Sequence, residues 1–215
     1  MIVQDIMKKN IIVTSIDLSI NDASNLMKKE RIRHLPVVND DMEIIGLVSD
    51  RDIKSASPST LGCEGDECLD LPVEKIMVTD IYTAFLYDFV EDAANIMIEN
   101  QISCLPVVED DKLVGIITEE DLLRTLVMLT GANTPSSRID VEVPNESGML
   151  FSIASIIKDY QYNVHSALIY PSNDSEKKVL VFRIQAMDIR RLVEAIREAG
   201  YKVLWPQDLD LEMKL

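Results

Sequence analysis

The chain is built around a long internal repeat, which constrains its fold more than any other feature of the sequence. Residues 34–38 read HLPVV and residues 104–108 read CLPVV, an offset of 70. After one extra residue near Met42 the offset falls to 69, and GLVSDRD at 46–52 aligns with GIITEED at 115–121. A match of this length with a single gap indicates that a structural unit has been duplicated.

Each copy predicts the element order β-α-β-β-α. Ser19 and Asp88 are the expected N-caps of the first helices, because each stands before a helical pattern with an acidic residue three positions later. Units of ~55–60 residues are too small to be stable alone, so we expect the copies to bury their apolar faces on each other. The predicted elements are opening strands at Ile11–Val13 and Ile81–Thr83, hairpin strands at Leu35–Val38 and Ile44–Ser49 with their counterparts in the second copy, and last helices from Asp50 and over Glu119–Leu129.

The remainder of the chain follows a different pattern, in which strands and helices alternate as βαββαβ. This order is typical of a split βαβ, ferredoxin-like unit. Gly200 is expected to end the second helix. The predicted elements are strands at Ile139–Val143, Asn163–Tyr170, Val179–Gln185 and Tyr201–Trp205, and helices over Met149–Tyr160 and from a cap at Asp188 to Ala199.

Two stretches rich in Ser, Gly, Pro or acidic residues separate these patterns and predict linkers. The expected fold class is α/β (α+β), with a pair of β-α-β-β-α units followed by a ferredoxin-like unit. The predicted domains are a first copy at 1–57, an acidic linker loop at 58–72, a second copy at 73–130, a linker at 131–137 and a third domain at 138–215.

Charge and hydropathy exclude several classes of protein. The formal net charge is −16, whereas nucleic-acid binding needs a basic surface. No apolar run approaches the ~18–20 residues that a membrane span requires, and charges interrupt the N-terminus where a signal peptide would be apolar. We therefore expect a cytoplasmic protein with neither nucleic acid nor membrane as a partner. Lys8 and Lys9 are interpreted as solvated charges.

The cysteines do not form a full disulfide framework, since there are three of them: Cys63, Cys68 and Cys104. Cys63 and Cys68 lie in an acidic loop without a nearby histidine. They are interpreted as free thiols, and a metal or redox role is the less favoured alternative.

The duplicated stretches IRHLPVV and ISCLPVV, followed by GLVSDRD and GIITEED, resemble a pair of cystathionine-β-synthase (CBS) domains, a Bateman module, over about residues 1–130. The βαββαβ order and the helix entry at Gly148-x-Leu150 look like an ACT domain. The whole arrangement, finishing VLWP, is similar to the acetoin-utilisation protein B family.

This resemblance implies a ligand-binding cleft between the two copies. Bateman modules bind adenine nucleotides (ATP, ADP or AMP) or related adenosyl ligands such as S-adenosylmethionine. The family motif would make Asp52 and Asp121 acceptors for the ribose hydroxyls, with Ser49 and Thr118 contacting ribose or phosphate. The family likeness also implies a homodimer and a protein partner in acetoin or acetate metabolism. No obligatory cofactor and no metal are implied.

The residues themselves leave two readings of this motif open. A carboxylate at a helix start suits a ribose diol, and a helix N-terminus favours phosphate. However, Ser49 and Asp52, like Thr118 and Asp121, also have the spacing of a capping box, which would serve helix stability alone. Pro36 and Pro106 begin strands and would hold the residues before them extended, exposing backbone groups to an adenine edge. The alternative is a plain strand start.

The two copies differ at the positions that would discriminate between ligands. The first copy has Arg33, His34 and Arg51, whereas the second has Ser103, Cys104 and Glu120 at the aligned positions. Residues 72–130 carry 3 Lys/Arg against 12 Asp/Glu, whereas residues 1–56 carry 8 against 9. We therefore expect unequal sites. The Asp52 site should prefer phosphorylated adenosine, and the Asp121 site should bind a less charged ligand or none. The alternative is that the arginines are surface charges paired with acids.

The sequence has no nucleophile elbow, P-loop, HExxH or Rossmann fingerprint, which favours a binding module over an enzyme. The leading hypothesis is a non-enzymatic regulator that senses an adenosyl ligand. One alternative is an amino-acid sensor that uses the ACT-like domain, with the CBS pair as a dimerisation scaffold. The other is an enzyme of unrecognised type acting on an acyl or adenylate substrate.

Overall fold

The computed structural model describes residues 1–56 and 65–207, and the chain divides into two compact units, residues 1–123 and 124–215. The first unit contains both copies of the repeat, and the second contains a four-stranded sheet with two helices. The predicted fold class is confirmed. The predicted linker loop at 58–72 falls partly outside the described residues.

The two copies repeat the same secondary structure in the same order. Each has an antiparallel hairpin preceded by a helix and followed by a second helix that starts directly at the strand end. The first copy comprises α1 (Val3–Ile6), α2 (Ile20–Glu30), β1 (His34–Val38), β2 (Ile44–Ser49) and α3 (Asp50–Ser55). Two 3₁₀ turns, Gly65–Asp70 and Val73–Lys75, lead to β3 (Ala84–Phe85), α4 (Val90–Glu99), β4 (Cys104–Glu109), β5 (Lys112–Thr118) and α5 (Glu119–Thr130), within which the division between the units falls.

The opening segment of each copy packs into the core of the other copy. Val3 belongs to the cluster formed by second-copy residues such as Leu105, and Val73 belongs to the cluster around Leu35. All four side chains are completely buried. Fully burying one such side chain stabilises the fold by about 1.5–3 kcal/mol, so this exchange ties the copies together.

Two glycines of the repeated motif make this exchange possible. A Cβ at Gly46 would collide with the sulfur of Met77, and a Cβ at Gly115 would collide with the sulfur of Met7. The methionines come from the opening segment of the opposite copy in each case. Gly46 and Gly115 are therefore required by close packing of a neighbouring side chain.

The opening strands and one helix cap differ from the sequence prediction. Residues 11–13 and 81–83 are not strands; a single parallel bridge joins Thr14 to Val37, and β3 is only two residues long. Such a short strand has no periodicity to read from sequence. Ser19 caps α2 as predicted, accepting a hydrogen bond from the N–H of Asp22. Asp88 is not the N-cap of α4, because its carboxylate instead accepts from the N–H of Phe85 within the preceding turn.

The second unit is a ferredoxin-like sheet with strand order β7-β8-β6-β9, all antiparallel. Its buried cluster is formed by alternate sheet residues, such as Ile139 and Phe182, and by helix residues such as Ile153 and Ile196. The predicted elements are present with bounds shifted by one or two residues. They are β6 (Ser137–Pro144), α6 (Met149–Asp159), β7 (Val164–Pro171), β8 (Lys177–Ile184), α7 (Arg190–Glu198) and β9 (Lys202–Trp205).

The cysteine prediction is wrong for Cys68. This residue is almost fully buried and forms a disulfide bond, whereas the sequence interpretation made it a free thiol. Cys63 lies outside the described residues. Cys104 is a free, buried cysteine.

Candidate functional site

A cleft of about 380 Å³ lies within the first unit, between the ends of the two hairpins. Its size is in the range of small-molecule sites, about 300–1,000 Å³. Both copies contribute side chains, and part of the second copy's contribution comes from its opening segment. The lining residues are Arg33, His34, Leu47, Ser49, Asp50, Arg51, Asp52, Val78, Asp80, Ile81, Tyr82, Gln101, Ile102, Ser103, Cys104 and Glu119.

The Ser49–Asp52 pair is a capping box, but it occupies one oxygen of the carboxylate only. Asp52 Oδ2 accepts from the N–H of Ser49 at 2.7 Å and from its hydroxyl at 2.6 Å, while Ser49 Oγ accepts from the N–H of Asp52 at 3.2 Å. Within the described part of the chain, Asp52 Oδ1 accepts no hydrogen bond. The capping role and the ligand role therefore do not exclude each other, because they use different oxygens.

The equivalent carboxylate in the second copy accepts the same two hydrogen bonds but has a different neighbour. Asp121 Oδ2 accepts from the N–H of Thr118 at 2.9 Å and from its hydroxyl at 2.5 Å. Asp121 Oδ1 lies 3.4 Å from the ammonium of Lys8, and the carboxylate is buried, with 8% of its side chain exposed. Neither Thr118 nor Asp121 lines the cleft. Lys8 is half exposed and forms an ion pair with Asp121. The interpretation of Lys8 as a solvated charge is therefore corrected.

His34 connects the two copies across the cleft. Its Nε2 lies 2.8 Å from the hydroxyl of Ser103. Burial lowers the pKa of His34 below its ordinary value of 6.5, and the nearby Arg33 guanidinium lowers it further, while Asp50, Glu119 and Asp52 oppose the shift. At neutral pH the imidazole is therefore uncharged and offers a ligand a hydrogen bond without a full charge.

Arg33 and Arg51 line the cleft without being paired to acids. Neither guanidinium forms a salt bridge with any residue in the described ranges. Asp50, which also lines the cleft, is instead bonded to Lys54 at 2.8 Å, and this bond lowers the pKa of Asp50. Pairing with acids, the alternative interpretation of these arginines, is therefore absent from the described structure.

Cys104 lines the cleft with an unreactive thiol. Burial raises the pKa of its thiol to about 12, with a smaller contribution from Glu119. A thiol of this kind stays protonated and is a poor nucleophile and metal ligand.

The aligned residues Arg51 and Glu120 differ in their position relative to the cleft. Arg51 lines the cleft, whereas Glu120 is not among the lining residues.

Pro36 and Pro106 are buried within their strands and do not line the cleft. The carbonyl of Pro36 accepts the N–H of Thr14 at 3.0 Å, so this backbone group is already bonded. The exposure of backbone groups to an adenine edge, which these prolines would promote, stays a prediction.

Sequence reasoning did not place the opening segment of the second copy in the site. Val78, Asp80, Ile81 and Tyr82 lie before β3 and line the cleft opposite β2, to which Val78 is bonded through Leu47. The signal for this segment was the repeat itself. Val78 stands 70 positions after Lys8, and Lys8 forms the equivalent backbone bridge to Ile116 of the second hairpin.

The described residues contain no group of three or more His, Cys, Asp or Glu side chains arranged to hold a metal ion. Among the helices of residues 1–56 and 65–207, none combines the length and the apolar character needed to cross a membrane.

Comparisons with known proteins identify the two units. The CBS domain model matches residues 3–59 and 73–128, and the ACT domain model matches residues 137–200. CBS and ACT domains are regulatory domains.

Solved structures of CBS pairs share the fold of the first unit. The CBS domain pair of protein MJ0100, in complex with 5′-methylthioadenosine and S-adenosyl-L-methionine, is 29% identical, with a TM-score of 0.53 over 62% of this chain and 98% of that chain. The Vibrio cholerae protein AcuB, named for acetoin utilization, is 32% identical, with a TM-score of 0.55 over 62% of this chain and 96% of that chain. CBSX2, in complex with AMP, is 29% identical, with a TM-score of 0.53 over 59% of this chain and 96% of that chain.

The curated relatives include large enzymes that match over the CBS region only. Homoserine O-acetyltransferase from Methanosarcina acetivorans is 32% identical over 122 residues, which are 56% of this chain and 21% of the enzyme. The chain thus spans about a fifth of that relative's length. The resemblance noted from the sequence is confirmed: the chain belongs to the CBS-domain family, as a tandem CBS pair followed by an ACT domain.

Proposed function

We propose that this protein is a non-enzymatic regulator that binds an adenine nucleotide or a related adenosyl ligand in the cleft between its CBS domains. The single observation that carries the proposal is the carboxylate of Asp52, a residue of the cleft lining, which uses Oδ2 for the helix cap and leaves Oδ1 without a bond in the described structure. A ribose diol supplies the donors that such a carboxylate accepts.

The apolar lining supports a place for the adenine ring. Leu47, Val78, Ile81 and Ile102 line the cleft together with Tyr82, whose ring is 46% exposed. A flat aromatic base gains dispersion and hydrophobic energy from such surroundings. The complexes of CBSX2 with AMP and of the MJ0100 pair with adenosyl ligands support the same class of ligand for this chain.

The charged lining favours a ligand with few phosphates. Arg33 and Arg51 provide unpaired guanidinium groups for a phosphate. Asp80 and Glu119 also line the cleft and would repel the additional charge of a triphosphate. We therefore expect AMP to bind more tightly than ATP, with S-adenosylmethionine as the cationic alternative.

A thermal-shift panel tests the proposal. ATP, ADP, AMP, 5′-methylthioadenosine and S-adenosylmethionine are added to the full chain, and a bound ligand raises the unfolding temperature by mass action. Asp52→Asn keeps an acceptor for the cap but loses the carboxylate, so the strongest shift should shrink in this variant. Absence of a shift with every ligand would overturn the proposal. A shift with amino acids alone would favour the ACT domain as the sensor, and turnover of ATP or an acyl-CoA would favour an enzyme.

The remaining parts of the proposal concern assembly and context. We infer a cytoplasmic homodimer that acts on a protein partner in acetoin or acetate metabolism, on the basis of the likeness to AcuB. The second copy supports self-association, because Phe85, Tyr87, Phe89 and Ile98 are each more than half exposed, and exposed apolar surface marks interaction sites when it is contiguous. Ligand binding would regulate the partner only if it favours one of two packing states.

A further inference from the structure

We propose that Lys8 closes the second half of the CBS cleft to ribose, so that each chain binds one nucleoside, at Asp52. The inference deepens the proposed function, on which it rests for the identity of the ligand. It names the residue that makes two nearly symmetric halves unequal.

The equivalence of the two halves is fixed by backbone geometry. The N–H and C=O of Lys8 bond to the C=O and N–H of Ile116 at 2.9 and 3.1 Å, and those of Val78 bond in the same way to Leu47 at 2.9 Å each. Lys8 therefore occupies, beside the second hairpin, the position that Val78 occupies beside the first.

The side chains at these equivalent positions act in opposite ways. Val78 has no polar group and lines the cleft that contains Asp52. Lys8 places its ammonium 3.4 Å from Oδ1 of Asp121, which corresponds to the oxygen of Asp52 that the proposed function gives to ribose. A ribose hydroxyl could bind Asp121 only by displacing this ammonium from a buried carboxylate, and a neutral donor replaces a charged one poorly.

Burial makes the ion pair hard to replace. Both oxygens of Asp121 have partners, Thr118 at Oδ2 and Lys8 at Oδ1. The Asp121 carboxylate is 8% exposed and the Lys8 side chain is 54% exposed. The buried negative charge of Asp121 is therefore neutralised by a lysine that lies nearer to the solvent. The Asp121 carboxylate, which the second half would need to bind a ribose, is thus already bonded within the protein.

The experiment is isothermal titration of the full chain with adenosine and, in parallel, with AMP. Adenosine reports on ribose and base without a phosphate that Lys8 could attract. The variants are Lys8→Val, Lys8→Gln as a milder change that keeps length and hydrogen-bond donors, and Lys8→Val/Asp121→Asn. Thermal unfolding of each variant verifies that it is folded, and Lys8→Gln replaces Lys8→Val if the valine variant is not.

The expected result is one site in the natural chain, two in Lys8→Val, and one again in Lys8→Val/Asp121→Asn. The proposal is overturned if the natural chain already binds two nucleosides, if Lys8→Val still binds one, or if Lys8→Val lowers the AMP affinity of an existing second site. A natural chain that binds none, with one site gained in Lys8→Val, would support the role of Lys8 and refute the Asp52 assignment. Absence of binding in every form would overturn both proposals.

Discussion

The two CBS copies share a backbone and differ in the side chains they present. Where the first copy has Ser15, Asp17, Ser19 and Lys28, the second has Phe85, Tyr87, Phe89 and Ile98 at an offset of 70, all of them exposed. The motif carboxylates differ as well: Asp52 lines a cleft together with two arginines, whereas Asp121 is paired with Lys8 outside that cleft. Duplication has therefore kept the core, and under the proposed function the first copy binds the ligand while the second associates with another chain.

The largest effect is expected when exposed apolar residues of the second copy are replaced by the aligned residues of the first copy, and the property affected is the oligomeric state. Phe85→Ser, Tyr87→Asp and Phe89→Ser, combined, replace three exposed apolar side chains with the residues of the first copy. We expect the chain to change from dimer to monomer, because association loses its apolar contact area. Light scattering during gel filtration measures the mass. The matched control, Ser15→Ala with Asp17→Ala, should leave the mass unchanged, and a dimer that survives the triple substitution would place the interface elsewhere.

The two caps provide the next comparison. Asp52→Ala removes a capping box, worth about 0.5–2 kcal/mol of stability, and Asp121→Ala should lose at least as much, because it also removes the buried partner of Lys8. Only Asp52→Ala should lose AMP binding, by at least about 30-fold, or about 2 kcal/mol. Chemical denaturation and calorimetric titration measure the two quantities. Equal loss of AMP binding in both variants would show that the halves are equal.

Substitution of Gly46 and Gly115 tests whether the packing of the two CBS copies is symmetric. Gly46→Ala should destabilise the fold by about 1–3 kcal/mol through overpacking against Met77, and Gly115→Ala should cost about the same against Met7. Denaturant unfolding measures both. In the double variant Gly46→Ala/Met77→Ala the two costs should not add, because the side chains are in contact. Simple additivity would mean that the cost of Gly46→Ala arises elsewhere.

Arg51 and Glu120 test the charge difference between the halves. Arg51→Glu gives the first copy the acid of the second and should weaken AMP by about tenfold, or about 1.4 kcal/mol, because a phosphate partner becomes repulsive. Adenosine should bind nearly as before. The matched variant Glu120→Arg lies outside the cleft lining and should change AMP affinity much less. Equal loss of adenosine and AMP in Arg51→Glu would refute a phosphate contact.

The repeat explains how much of this could be predicted from sequence. The strand Ile44–Ser49 and the caps at Ser49 and Thr118 follow from apolar runs and a capping signature, so they were predictable. The Lys8–Asp121 pair was not, since it joins residues 113 positions apart and depends on the exchange of opening segments. The bonded carbonyl of Pro36 was hidden for a different reason, because its partner Thr14 belongs to no periodic strand.

His34 provides the smallest and most specific test, through pH. Its pKa in the folded protein is lowered, first by burial and then by Arg33, so the unfolded chain takes up the proton more readily. The stability that the neutral imidazole contributes is fully present above the unfolded value of about 6.5 and is lost as pH falls from there through the folded pKa. The aligned Cys104, with its pKa raised to about 12, does not titrate in this range, so at this aligned position only the first copy has a group that responds to pH.

A bound phosphate should reduce this sensitivity, because it favours the imidazolium and raises the pKa of His34. The affinity for AMP relative to adenosine should therefore rise by a few-fold, or roughly 0.5–1 kcal/mol, between pH 8 and pH 6.5. In His34→Asn the AMP-to-adenosine ratio should stay flat apart from the titration of AMP itself, which the variant measures directly. Calorimetric titration at three pH values gives the ratio. An identical slope in the natural chain and in His34→Asn would mean that His34 holds Ser103 across the cleft without sensing the phosphate.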